Sequence, residues 1–244
     1  MTFDDDPTGR MLSRRDVVCL LGSGAAWMLA INMAPRWVKT AVATDLCVVR
    51  PEQTEGPYFV DERLNRSDIR SDPSDGQSRP GAPLALTILL SRLTDGTCRP
   101  LTGAQVDIWQ CDASGVYSDV RDPGFKTIGK KFLRGYQITD QLGEARFLTI
   151  YPGWYRGRTA HIHVKVRTAP RNGRSFEFTS QIYFDDAYTD RVHADGPYAA
   201  RGKRTERNED DGIFRRGGDR LILTPTPIDG GSHAGTFAIS LALP

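Results

Sequence analysis

From about residue 84 onward the apolar positions fall in short runs, each closed by turn residues. LALTILLSRL (84–93) ends at Asp95-Gly96, and AQVDIWQC (104–111) follows Thr102-Gly103. Strand side chains alternate, so Val106, Ile108 and Gln110 should share one face and Asp107 and Trp109 the other. YQITD (136–140) turns through Gln141-Leu142-Gly143 into EARFLTIY (144–151). HIHVKVRT (161–168), FTSQIYF (178–184), LILTPTPI (221–228) and GTFAISLAL (235–243) complete the set. Short strands with regular turn signals predict an all-β sandwich or barrel rather than alternating strands and helices. The expectation is a single-domain antiparallel β-sandwich with long surface loops over 44–244. Residues 60–83, rich in Asp, Ser, Gly and Pro, predict an extended surface segment. The polar stretch 186–219 predicts a long excursion holding a turn of helix or two.

The first 43 residues follow a different pattern. Ser13-Arg14-Arg15-Asp16 is a twin-arginine signal, the apolar run 17–34 follows, and Ala41-Val42-Ala43 supplies a small-residue cleavage site. Residues 1–43 are therefore expected to be a signal peptide, with export by the twin-arginine pathway to the periplasm or the exterior. An N-terminal membrane anchor is the competing interpretation, but Gly22, Gly24 and Asn32 interrupt the run and leave it short for a stable span. No stable membrane span is expected in the mature chain. The twin-arginine route carries proteins already folded, often with a metal or cofactor in place. Removing the signal takes Cys19 and leaves Cys47, Cys98 and Cys111 in an oxidising compartment. One disulfide and one buried thiol is the simplest arrangement. Cys47–Cys98 is preferred, because Cys111 lies in a strand-like run where a thiol packs as a small apolar side chain.

A net charge of +2 on 244 residues leaves no basic field for nucleic acid or an anionic membrane surface. The four histidines are at 161, 163, 193 and 233, so any histidine site draws on a short list. On a strand, His161 and His163 project from one face with Ile162 opposite, and two such imidazoles can share a metal ion. A pair of half-buried surface histidines is the plainer alternative. A cupin would place a Glu about four residues later, where this chain has VKVRT (164–168). The H-x-H-x-D-H and H-E-x-x-H patterns are also absent. With no carboxylate between 145 and 176, the available anionic donors are tyrosines: Tyr117, Tyr151 and Tyr155. Phenolate is a hard oxygen donor suited to Fe³⁺, and binding to such an ion lowers the phenol's pKa.

Four blocks in order carry a resemblance: PEQTEGPYFV (51–60), GAQVDIWQCDASGVYSDV (103–120), FLRGYQITDQLGEARFLTIYPGWYRGRTAHIHVKV (132–166) and TSQIYFDD (179–186). Together they resemble the intradiol ring-cleavage dioxygenases, the group of catechol 1,2-dioxygenase and protocatechuate 3,4-dioxygenase, over about 47–244. The resemblance implies a non-haem Fe(III) site ligated by Tyr117, Tyr155, His161 and His163. It implies cleavage of a catecholic ring by O₂ between the two hydroxyl-bearing carbons, giving a muconate-type diacid. Tyr155 would leave the metal when substrate binds and act as a general base, while Tyr117 would stay bound. Arg158 would stabilise negative character on the ring, and Gln181 would line the substrate site. Glu55-Gly56-Pro57-Tyr58 resembles the loop that closes over the pocket, and Trp154 would help shape it. Tyr151 and Trp109 are expected to pack in the core. Many relatives read W-H-C-D where this chain has Trp109-Gln110-Cys111-Asp112. The long helical N-terminal segment of the catechol 1,2-dioxygenase branch is not matched, which leaves the mode of homo-oligomer formation open.

Two other functions compete. One is a non-catalytic exported β-sandwich module that binds aromatic or carbohydrate ligands, which would need neither iron nor Arg158. The other is a different metalloenzyme on a β-barrel, which the missing carboxylates disfavour. Replacing Arg14 and Arg15 by Lys is expected to hold the protein in the cytoplasm, checked by fractionating cells and locating the chain. Unchanged export would remove the twin-arginine assignment.

Overall fold

The computed structural model describes residues 47–170 and 173–243. The expected signal segment 1–43 lies outside them. Twelve strands are found among the described residues: β1 (Pro83–Thr94), β2 (Thr97–Pro100), β3 (Gln105–Trp109), β4 (Arg121–Asp122), β5 (Phe125–Lys126), β6 (Arg134–Ile138), β7 (Glu144–Ile150), β8 (His161–Arg167), β9 (Glu177–Phe184), β10 (Ile222–Leu223), β11 (Thr226–Ile228) and β12 (Ser232–Leu241). Helices α1 (Asp186–His193) and α2 (Gly196–Ala199) fall inside the predicted excursion. One five-stranded sheet runs β11-β12-β1-β2 with β7 also paired to β1, a second runs β10-β9-β8-β3-β6, and β4 and β5 make a separate hairpin.

β8 sits inside the second sheet, flanked by β3 and β9. Its Ile162, Val164 and Val166 are fully buried and meet Val106 and Ile108 of β3 and Ile182 and Phe178 of β9 in one apolar cluster. Leu84, Leu86, Ile88, Phe237 and Ile239 of the first sheet belong to the same cluster. The alternation along β8 then turns His161, His163, Lys165 and Arg167 the other way. The antiparallel registers place His163 opposite both Trp109 and Gln181, and His161 opposite Tyr183. A row of chemically distinctive residues is thus set by the register that buries the aliphatic row behind it.

Three departures from the sequence pattern have identifiable causes. The sheets are not purely antiparallel, since β1 pairs with β12 and β9 with β10 in parallel. These partners are separated by long excursions, so no hairpin dictates direction. LILTPTPI splits between the two sheets: β10 joins β9 and β11 joins β12, with Pro225 lacking an amide hydrogen at the break. Residues 60–83 are more than a surface segment, because bridges Asn65–Tyr136 and Asp68–Leu148 dock them and Ile69 is fully buried. Both faces of β3 are buried, as expected of Trp109, which packs in a second apolar cluster with Cys111 and Val120 under Phe59 at a ring-centroid distance of 4.9 Å.

Cys47 and Cys98 are joined, with Cα atoms 5.5 Å apart, and Cys111 is a buried free thiol. Closing a loop of this length restricts the unfolded chain by about 4 kcal/mol in the entropic account. The bond fastens the N-terminal end of the described chain to β2, just before the 51–60 segment that crosses the site.

Candidate metal centre

Two loops bring phenols to the histidines. After β3 the chain turns on Asp112, whose Oδ1 accepts from the amides of Ser114 (2.9 Å) and Val116 (3.1 Å). That turn delivers Tyr117, which is fully buried. The loop after β7 delivers Tyr155, whose backbone exchanges hydrogen bonds with Arg158: the Arg158 amide donates to Tyr155 at 2.8 Å. The two loops touch backbone to backbone through glycines. A Cβ on Gly115 would lie 2.4 Å from the Trp154 carbonyl oxygen, and one on Gly153 would lie 2.3 Å from that of Asp112. Only glycine permits this approach.

The donors converge as follows. His161 donates from Nδ1 to the Thr159 carbonyl at 2.7 Å, which fixes its tautomer and leaves Nε2 with a bare lone pair. That Nε2 lies 3.2 Å from His163 Nε2 and 3.3 Å from the Tyr117 hydroxyl. The Tyr155 ring is 5.7 Å from the His161 ring and 5.8 Å from that of Tyr117. Trp109 stacks flat on His163, with centroids 4.7 Å apart and planes 7° from parallel, and so sets that ring's orientation. Among the described residues no three His, Cys, Asp or Glu side chains cluster for a metal, so a cation site here depends on the tyrosines.

Burial dominates the electrostatics. It pulls both imidazoles well below the ordinary histidine pKa, assisted by the positive charge of Arg158. It lifts Tyr117 well above the ordinary phenol value and pushes Tyr155 up to about 12, with Arg158 opposing the rise. Burial alone would lower the Arg158 pKa, but Tyr155 and Asp211 outweigh it and the net shift is upward. Two neutral imidazoles and two phenols therefore lie beside a permanent cation, which touches Tyr155. The converging ring nitrogens and phenol oxygens fit a bound cation, and the two phenols can lose protons to neutralise most of the charge of a trivalent ion.

Arg158 spreads its guanidinium over three partners: Nη1 donates to the Tyr155 hydroxyl at 3.3 Å, Nη2 to Gln181 Oε1, and Nε to Asp211 Oδ2 at 2.9 Å. Gln181 in turn donates to the Thr54 carbonyl at 3.0 Å. The segment containing Glu55-Gly56-Pro57-Tyr58 crosses the site, with Tyr58 stacked on Tyr117 at 4.6 Å and donating to Asp122 at 2.7 Å. Lys165 and Arg167, on the histidine face of β8, hold it through Glu55 (2.8 Å) and Asp61 (2.9 Å).

Of the residues singled out from sequence, Tyr117, Tyr155, His161, His163, Arg158 and Gln181 meet in one place. Tyr151 lies elsewhere, in the core, with its hydroxyl 2.8 Å from Thr189 Oγ1. Trp154 lies under the guanidinium of Arg201, 4.2 Å from its ring centroid. Gln110 is buried, donating to the Ile150 carbonyl at 2.9 Å and accepting from Thr149 at 3.0 Å, so it ties the end of β3 to β7 of the other sheet. Sequence reasoning missed Asp211, Thr159 and Tyr183. Thr159 lies inside the 132–166 block, whereas Asp211 sits in a charged run that reads as solvated surface.

A sequence profile of the family described as Dioxygenase matches residues 54–203. An intradiol ring-cleavage dioxygenase from Tetranychus urticae is 34% identical with a TM-score of 0.70, covering 80% of this chain and 95% of its own. Chlorocatechol 1,2-dioxygenase of Pseudomonas putida is 28% identical over 150 residues, 54% of this chain and 52% of that protein. Catechol 1,2-dioxygenase of Candida albicans is 40% identical over 94 residues, 31% of this chain and 30% of that protein. The match with the Pseudomonas protein thus spans about half of its length.

Because the phenols are protonated before a metal binds, ferric affinity should fall as pH falls. The expected dependence is about a hundredfold per pH unit near neutrality, one factor of ten for each phenol proton released. Tyr155→Phe should reduce it to about tenfold. Competition against a chelator of known pH dependence measures both slopes, and a pH-independent affinity would contradict the two-phenol site.

Proposed function

The chain belongs to the intradiol ring-cleavage dioxygenases, and from that premise we propose that it cleaves a catecholic ring between its two hydroxyl-bearing carbons. Both atoms of O₂ enter the muconate-type diacid, so catechol plus O₂ balances the product with no external reductant. The observation that carries the proposal is the meeting of Tyr117, Tyr155, His161 and His163 in one buried cluster beside Arg158. A binding module for aromatic ligands has no need of paired phenols against paired imidazoles.

These four residues would hold a non-haem ferric ion. Once bound, that ion would draw electron density from a catecholate and expose a ring carbon to O₂. The chain's own groups account for the rest. A catechol must lose two protons to bind through both oxygens, and Tyr155 Oη is placed to take one as a general base. Arg158 donates toward that same oxygen at 3.3 Å and stabilises the anion that develops beside it. Gln181, fastened to Thr54 and Arg158, forms a fixed polar wall. Tyr58 and the 54–60 segment cover the cluster and exclude bulk water, which strengthens every charge interaction inside.

The two sheets, which share one buried cluster, act in this proposal as the faces of a β-sandwich, with the histidines on the face of the second sheet turned away from that cluster. Export through the twin-arginine route is part of the same proposal. The Cys47–Cys98 bond supports it, since such bonds persist in oxidising compartments.

Oxygen uptake with catechol, protocatechuate and hydroxyquinol, followed by mass analysis of the product formed under ¹⁸O₂, tests the activity. The expected result is stoichiometric uptake with at least one of the three and two labelled oxygens in a ring-opened diacid. Saturable binding of an aromatic ligand by iron-loaded protein, with no oxygen consumed, would favour the binding module instead.

A further inference from the structure

Arg158 donates its Nε–H to a carboxylate well beyond the four blocks that carry the resemblance. Asp211 is fully buried and lies outside the span 54–203 that the family profile matches. Its carboxylate is itself immobilised. Oδ1 accepts from the amides of Ile213 (2.8 Å) and Phe214 (3.2 Å), and Oδ2 accepts from the Thr159 amide (3.2 Å) as well as from Arg158 Nε (2.9 Å). The guanidinium is planar, so two fixed points determine its orientation. Asp211 holds Nε and Gln181 holds Nη2, which leaves Nη1 facing Tyr155 Oη.

The same segment grips Thr159. Asn208 Oδ1 accepts from the Thr159 hydroxyl at 2.9 Å, and Arg204 Nη1 donates to that hydroxyl oxygen at 2.9 Å. The Thr159 carbonyl is the acceptor that sets the His161 tautomer. Residues 204–211 therefore hold, from behind, the stretch between Tyr155 and His161. Burying an ion pair carries a desolvation cost that a packed apolar pair would avoid, so stability alone is a poor reason for Asp211 to be there.

We propose that Asp211 is a positioning residue that aims Arg158 at the reacting ring, a role that rests on the dioxygenase function argued above. It touches no substrate and acts only through the guanidinium. Asp211→Asn keeps the shape and one acceptor oxygen but removes the charge. Assayed with the catechol the wild type turns over, this variant should keep its iron while kcat drops about a hundredfold and KM stays within about threefold. Asp211→Glu, which restores the charge, should recover part of the loss. In an Arg158→Lys background, Asp211→Asn should cost less than about threefold more.

A second readout is independent of turnover. In the full chain freed of paramagnetic metal, the Arg158 Nε–H resonance, assigned by its loss in Arg158→Lys, should exchange slowly in the wild type and quickly in Asp211→Asn. Should Asp211→Asn fail to fold, Asp211→Glu takes its place in the resonance measurement, with accelerated exchange expected from its displaced carboxylate. An unchanged resonance, an unchanged kcat, or an equal loss in the Arg158→Lys background would overturn the proposal. If the wild type consumes no oxygen, the dioxygenase function fails, while the resonance alone decides whether Asp211 fixes Arg158.

Discussion

Everything at the site depends on the register of three strands. Ile162, Val164 and Val166 bury one face of β8 against β3 and β9, and full burial of such side chains is worth about 2 kcal/mol each. A one-residue slip would send that row outward and turn the histidines into the core. The same pairing puts Trp109, His163 and Gln181 in one line across the sheet, and His161 beside Tyr183. Ordinary hydrophobic burial thus fixes the direction in which the imidazoles point. The strands supply rigid nitrogen donors, and the oxygen donors must come from elsewhere.

They come from loops, which are made rigid by close backbone contact rather than by strand pairing. Gly115 against Trp154 and Gly153 against Asp112 lock the Tyr117 and Tyr155 loops together, so neither phenol is positioned independently. The chemistry follows from what surrounds these groups. A buried site with Arg158 inside disfavours protonated imidazoles, while burial itself keeps the phenols protonated in the cation-free site. Arg158 has a double effect: it favours an anion at Tyr155 and repels protons from the histidines. The covering segment completes the enclosure, and Lys165 and Arg167 extend the histidine face of β8 to hold that segment in place.

Much of this was legible in the chain. Alternation located β1, β3, β6, β7, β8, β9 and β12, and the absence of carboxylates near His161 and His163 pointed to tyrosine. The preference for Tyr155 over Tyr151 rested on a resemblance, and the structure separates them by placing Tyr151 with Thr189 in the core. Other features had no local signal. Parallel pairing of β1 with β12 joins segments well over a hundred residues apart, and periodicity carries no information about strand direction. Ile69 is one apolar residue in a polar segment, and its burial depends on a groove formed by other strands. Asp211 follows Glu209 and Asp210, so composition alone marks it as solvated surface, although tertiary structure makes it the least exposed of the three. The role of Gln110 likewise depends on β7 of the other sheet, which sequence spacing does not reveal.

The central claim is that two phenols and two imidazoles form one ferric site. Metal analysis of the purified full-length protein, combined with its visible absorption spectrum, tests this most directly. About one iron per chain is expected, with a red-brown tyrosinate-to-iron charge-transfer band that shifts in Tyr155→Phe and persists in Tyr151→Phe. A colourless, zinc-containing protein with Tyr117, Tyr155, His161 and His163 intact would contradict it.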